Sequence, residues 1–246
     1  MGKTTFALNI AAHAGVREGK AVAIFSLEMG KQQVVLRMLC SEANNINLTL
    51  NGLQTGQFSS DLYPYLTDAA NGLAQSRIYI DDSPTMSAME IRAKSRMLKA
   101  RQQLDLIIID YLQLMEEHSS RTENRQQEIA TISRHLKALA RELEVPVIAL
   151  SQLSRAVERR EENRPQLADL RESGAIEQDA DVVLMLYREE YYARVQRPNE
   201  EVPANILNKA EALIAKQRNG PLGRAPLNFF GDRMRFENRS EKDEPF

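Results

Sequence analysis

Apolar and β-branched residues in this chain gather in short runs bounded by turn or charged residues. The runs are AVAIFS at 21–26, RIYID at 77–81, LDLIIID at 104–110, VPVIAL at 145–150, DVVLMLY at 181–187 and EALIAK at 211–216. Several are continuous rather than alternating. A strand open to water on one face alternates apolar with polar positions, so a continuous run predicts a strand covered on both faces, as in a parallel sheet. Between the runs the apolar positions recur at three and four, the spacing of a helix with one buried stripe. The clearest case spans 124–143, where Ile129, Ile132, Leu136, Leu139 and Leu143 share one side and Arg, Lys and Glu fill the other. Strand alternating with helix predicts an α/β fold of βαβ units. Its sheet is doubly wound and mostly parallel, with ligands bound outside the carboxyl ends of the strands.

Three stretches depart from this pattern. EEHSSRTENR at 116–125 and SRAVERREENRPQLADLRESGAIEQ at 154–178 are polar, charge-dense connections directly after strands, where functional loops of α/β proteins sit. KQRNGPLGRAPLNFF at 216–230 sets a Gly-Pro turn between two strand-like runs and predicts a β-hairpin. The chain shows no internal repeat, and RSEKDEPF at its end reads as a frayed tail, leaving one domain over 1–238 and a tail at 239–246.

With 43% hydrophobic residues among 246, the chain can bury a full core. Its 32 basic and 34 acidic residues leave a formal charge of −2, so any contact with a polyanion must come from a local patch. Cys40 is the only cysteine, which excludes an internal disulfide, and His13, His118 and His135 show no metal-ligand spacing with it. All four read as structural. No apolar run approaches the roughly 20 residues of a membrane span, and the order of a signal peptide is absent, so the expected setting is cytoplasmic, with no membrane partner.

The chemistry begins at the first residues. Gly2, Lys3 and Thr4 form the closing half of the phosphate-binding motif G-x-x-x-x-G-K-[ST], and they run, with Thr5, into a helical pattern. In such a loop the Lys reaches the β- and γ-phosphates, the Thr hydroxyl ligates Mg²⁺, and the helix N-terminus points N–H groups at the anion. A surface Lys at an ordinary helix start is the bland alternative. Asp110 ends the buried run LIIID, as does the carboxylate that holds the Mg²⁺ shell in phosphate-loop ATPases. Glu28, after the run AVAIFS, lies at the same sheet edge if the strands are parallel. It can act as general base toward the attacking water, or it can complement the dipole of a helix beginning near Gly30. Gln152, after VPVIAL, is a neutral amide at that edge, suited to sensing a γ-phosphate or to closing a strand end. Lys216 and Arg218 lie two apart on a strand and so project from one face beside the Gly220-Pro221 turn. They reach a neighbouring subunit's phosphates more easily than their own, unless they are simply a solvated basic hairpin.

The segments MGKTTFALNIA, IFSLEM, RMLCSEA, IYIDDSP, DLIIIDYLQLM, QEIATISRHLKALARELEVPVIALSQLSR, RPQLADLRESGAIEQDADVVLMLYR and IAKQRNGP follow one another in this order. Together they resemble the C-terminal motor domain of the DnaB family of bacterial replicative DNA helicases. The resemblance runs from Met1 to about Asn238. It implies a RecA-like phosphate-loop ATPase fold with a C-terminal β-hairpin. It further implies a homohexameric ring around single-stranded DNA, ATP with Mg²⁺ at the subunit boundaries, and 5′→3′ unwinding. In the full-length protein it implies primase and a helicase loader as partners. By this resemblance Gly2, Lys3, Thr4 and Thr5 contact nucleotide, Thr4 and Asp110 hold Mg²⁺, and Glu28 is the catalytic base. Gln152 senses the γ-phosphate, Arg37 stands near it, and Lys216 and Arg218 act in trans. Arg171, Glu172 and Gly174 match the loop that grips the DNA backbone. The family's strand and the opening of its phosphate loop precede the position of Met1, so this chain is expected to begin inside the motif, at a heavy cost to ATP affinity. A RecA-like recombinase or clock-type ATPase, and a non-catalytic ring or interaction fragment, are the competing readings.

Overall fold

The continuous apolar runs become strands because helices cover both their faces. A computed structural model describes residues 2–43, 45, 47–116, 125–154, 157, 158, 160 and 162–239, with the side chains of 171–173 outside that description. β1 (Val22–Ser26), β2 (Ile78–Asp81), β3 (Leu106–Asp110) and β4 (Val147–Ala149) form a parallel sheet in the order β2-β1-β3-β4. Side chains alternate across the pleat, so Ala23, Phe25, Ile107 and Ile109 face one core and Val22, Ile24, Leu106 and Ile108 the other. The first core is closed by α5 (Ala88–Gln102) and α6 (Arg125–Leu143), the second by α1 (Lys3–Ala12) and α2 (Lys31–Glu42). Ile129, Ile132, Leu136 and Leu139 of α6 are buried, as the spacing requires. α5 starts at a capping box, with the Ser87 side chain on the Glu90 N–H and the Glu90 carboxylate on the Ser87 N–H. Two further helices, α3 (Leu50–Thr55) and α4 (Tyr63–Gln75), stand beside α2 around Leu48 and Leu62.

The parallel alternation stops after β4. A 3₁₀ stretch (Leu167–Ser173) runs straight into α7 (Gly174–Asp179), so the polar connection at 154–178 is partly helical. β5 (Val182–Tyr187) then pairs antiparallel with β6 (Lys209–Gln217), beyond α8 (Glu189–Gln196). β6 pairs with β7 (Gly223–Phe230) across the expected hairpin, and β7 with β8 (Arg235–Asn238). The apolar runs at 181–187 and 211–216 therefore build a second, antiparallel sheet rather than extending the first. β4 and β5 each leave an edge without a strand partner among the described residues. α1 joins the two sheets: Ala7, Leu8, Ala11 and Ala12 pack on the parallel sheet, while Phe6 meets Phe236 of β8 edge-on, ring centroids 5.3 Å apart. His118 and the tail from 240 lie outside the described residues. No helix is long and apolar enough to cross a membrane among those described.

Candidate nucleotide site

The carboxyl ends of β1, β3 and β4 and the start of α1 meet at one edge of the parallel sheet. Gly2 precedes α1 with φ at 93°, a left-handed conformation, and a Cβ there would stand 3.2 Å from the Phe236 ring. Both conditions select glycine. Because α1 begins at Lys3, the N–H groups of Lys3, Thr4 and Thr5 have no carbonyl within the helix to bond, and with the helix dipole they attract an anion. The Lys3 ammonium donates to the Ser151 carbonyl at 2.7 Å and stands 5.8 Å from the centre of the Tyr111 ring. Burial pushes it below the usual lysine range, against the pull of Asp110 and Glu28. Thr4 hydrogen-bonds the Asp110 carboxylate through its hydroxyl. Thr5 turns elsewhere: its buried hydroxyl donates to Met234 Sδ at 3.6 Å. Of the nucleotide contact expected at Thr5, only the N–H remains available.

Asp110 is the hub. It stands in register with Ser26, and the Leu27 N–H donates to its carbonyl at 2.8 Å, which delivers Glu28 to the same edge. The Ser26 hydroxyl donates to the Met29 carbonyl at 2.6 Å and tightens the bend on which Glu28 sits exposed. The dipole of α2 is met not by Glu28 but by Asp82, whose Oδ2 accepts the Lys31 N–H at 2.9 Å. Arg37, half-buried on α2, adds its charge to the field at Asp110. Burial raises the Asp110 carboxyl above the usual aspartate range; the Thr4 hydrogen bond, Lys3 and Arg37 oppose this, and Glu28 reinforces it. Its Oδ2 is buried with no hydrogen-bond partner.

An unpartnered carboxylate oxygen beside a threonine hydroxyl is a hard-oxygen pair of the kind Mg²⁺ takes from protein, the rest of its shell being water and phosphate. Thr4 and Asp110 fit that ion. Sites with three or more His, Cys, Asp or Glu ligands do not occur among the described residues, so a sparse site of this kind is the one they offer.

Gln152 follows β4 and is exposed, while its N–H donates to Gln113 Oε1 at 3.2 Å. Gln113 Nε2 in turn donates to Ser151 Oγ at 2.8 Å. Gln113 lies in a 3₁₀ turn (Leu112–Leu114) after β3, so it ties the Asp110 strand end to the Gln152 strand end. The sequence reading passed over Gln113, Ser151 and Asp82. Their one signal was position, each within a few residues of a strand's carboxyl end.

Lys216 and Arg218 do not join this group. The Lys216 ammonium donates to the carbonyls of Glu177, Gln178 and Ala180, and Arg218 Nη2 to that of Gln178, so both side chains lie on α7 of their own chain. Arg218 stands one residue beyond β6, with Nε 3.7 Å from Asp181 Oδ1. For Lys216 this revises the expected trans role, since an ammonium with three carbonyl acceptors has no donor left over. The side chains of Arg171 and Glu172 lie outside the description, but their backbone is part of the 3₁₀ stretch that enters α7. Gly174 is helical, at φ −51° and ψ −27°, with nothing within 4 Å of a built Cβ. Its surface is open, but its backbone does not demand glycine.

Residues 1–238 match the family model of the DnaB-like helicase C terminal domain. The replicative DNA helicase DnaB of Geobacillus stearothermophilus is 51% identical over 238 residues, which are 97% of this chain and 50% of that protein. The replicative DNA helicase DnaC of Bacillus subtilis (strain 168) is 50% identical over the same shares. The chain thus spans about half the length of these relatives. Among solved structures, a DnaB-like replicative helicase, described with its interactions with primase, superposes with a TM-score of 0.87 at 38% identity, over 98% of this chain and 55% of its own. An ATPase domain solved by itself has the same TM-score and identity over 98% of this chain and 81% of that one. A family match over nearly the whole length agrees with the carboxylate, lysine and threonine gathered at one sheet edge: the chain belongs to the DnaB-like helicase C-terminal domain family.

Proposed function

We propose that this chain is the ATP-driven motor of a replicative DNA helicase, working as a homohexamer on single-stranded DNA. The observation that carries the reading is the convergence of Lys3, Thr4, Glu28 and Arg37 on the buried Asp110. Lys3 and the N–H groups opening α1 bind the phosphates. Thr4 and Asp110 hold Mg²⁺, which when bound neutralises charge on the phosphate oxygens. Glu28, exposed at the sheet edge, takes the proton of the attacking water, and Gln152 and Arg37 address the γ-phosphate. Arg218, on a hairpin bonded away from its own Asp110, completes a neighbour's site. Arg171, Glu172 and Gly174 grip the DNA backbone through phosphate contacts and main-chain N–H groups. Primase and a helicase loader are the partners proposed for the longer protein, and one of the structural neighbours above is described with primase. A recombinase- or clock-type ATPase would share the chemistry of Lys3 and Asp110, but the family match across the LRESGAIEQ segment favours the helicase.

Mixing two dead variants tests the site and its assembly together, in protein whose phosphate loop is complete. Glu28→Ala kills its own site but keeps a competent Arg218. Arg218→Ala keeps its base and lowers turnover by up to roughly 10³ to 10⁵, the worth of an arginine finger, while ATP binding survives. Exchanged subunits then form some interfaces pairing a good base with a good arginine, and part of the turnover returns. A mixture that exchanges subunits yet stays as inactive as its components refutes the trans assignment.

A further inference from the structure

Helix α7 has only six residues, too few to stand by itself, and its closing carbonyls have no partner within the helix. Side chains from β6 and the turn after it supply those partners. The Lys216 ammonium meets the carbonyls of Gln178 at 3.2 Å and Ala180 at 2.8 Å, and that of Glu177. Arg218 adds its guanidinium to the Gln178 carbonyl and its N–H to the Asp181 carbonyl at 2.9 Å. A cation at a helix C-terminus also lies favourably in the dipole. The front of the same segment is anchored differently, by Leu167 and Leu170 against Val183, Met185, Leu213 and Ala215. Lys216 is opposite Val183 in the β5–β6 ladder, so the hairpin base and the end of α7 occupy one corner of the fold.

We propose that Lys216 is a positioning residue in cis: it clamps the end of α7 and so fixes the 167–174 segment that carries Arg171. The hairpin bearing Arg218 and the segment bearing Arg171 then move as one body. A displacement of the hairpin at a neighbour's nucleotide is carried directly to the segment that holds DNA. This rests on the reading of Arg171 as a DNA contact, and the test separates the two.

Single-stranded DNA binding is measured by fluorescence anisotropy on a labelled oligo-dT without nucleotide, so that chemistry at a neighbouring site contributes nothing. Lys216→Met keeps the apolar stem and removes every donor. It is expected to weaken binding about fivefold or more, the scale on which losing a charge-assisted hydrogen bond shifts a two-state equilibrium. Hydrogen exchange at the Ala180 amide, which bonds the Ile176 carbonyl, should quicken in the same variant. Lys216→Arg should restore most of both. Should Lys216→Met lose its cooperative melt, Lys216→Gln, which keeps two donors, takes its place and is expected to show smaller losses of the same kind. Binding and exchange unchanged in the Lys216 variants, while Arg171→Ala weakens binding, would overturn the clamp and leave the DNA reading intact. Unchanged binding by Arg171→Ala removes the DNA reading and the coupling with it.

Discussion

Asp110→Asn should make the protein more stable while removing Mg²⁺-dependent nucleotide binding. The wild-type side chain is 5% exposed and its Oδ2 is buried without a partner. Leaving a buried polar atom unsatisfied costs about 1–3 kcal/mol, and more when it is charged. Asparagine keeps an oxygen for the Thr4 hydroxyl and replaces the bare anionic oxygen by a neutral amide. The amide buries N–H donors of its own, which offsets part of the relief, so the expected net gain is about 1 kcal/mol. For a chain of this length that is roughly 2–4 °C in melting temperature. The sign of the pH dependence follows from the raised carboxyl. Between the unfolded value of 3.8 and the higher folded value, the native state binds more protons than the unfolded state. Wild-type stability therefore falls as pH rises through that interval, and the cost is complete above the folded value. Thermal melts followed by circular dichroism at about pH 8 should show the full gain for Asp110→Asn. Melts near pH 4, where native Asp110 is protonated, should show most of it gone. A variant less stable than wild type at the higher pH, or a gain of equal size at both pH values, would refute the desolvated carboxylate. Nucleotide binding that kept its Mg²⁺ dependence would refute the ligand role.

Phe236→Ala should cost about 3 kcal/mol, because the ring meets Phe6 at 5.3 Å and Phe229 at 4.5 Å and closes the core joining α1 to the second sheet. Urea melts should show a lower midpoint with an unchanged slope, and a loss below about 1 kcal/mol would place that contact outside the core. Burial pushes the Cys40 thiol up to about 11, with Asp232 adding to the shift and Arg233 opposing it, so the native thiol stays protonated. A neutral disulfide reagent at about pH 8 should react with Cys40 only as urea unfolds the chain, and rapid reaction of the native protein contradicts this burial.

Much of the site was legible before any coordinates. The runs ending in Ser26 and Asp110 are apolar at every position before those ends because both faces of their strands are covered, and that property is written residue by residue. The stripe of α6 is local in the same way. Once β1 and β3 are parallel, Glu28 and Asp110 have to emerge at one edge, and Lys3 and Thr4 meet them because α1 starts there. Asp82, Gln113 and Ser151 were not legible, since each acts through a hydrogen bond to a residue distant in sequence, and an acceptor in a loop looks the same whether or not a donor arrives. β8 was missed because only Phe236 in its span RFEN is apolar.

By itself, the sequence determined the elements, their buried faces and the residue types at the strand ends, because periodicity and turn chemistry act within a few residues. Tertiary structure alone decided which strands pair and where long side chains end. DVVLMLY carries much the same apolar density as LDLIIID, yet β5 takes antiparallel β6 as its partner and opens a second sheet, a choice made by backbone hydrogen bonds between distant segments. Lys216 reads as a free basic residue on a hairpin until α7 is folded against it. Only then do three carbonyls without helical partners stand within reach of its ammonium, and Coulomb attraction and hydrogen bonding hold it in cis.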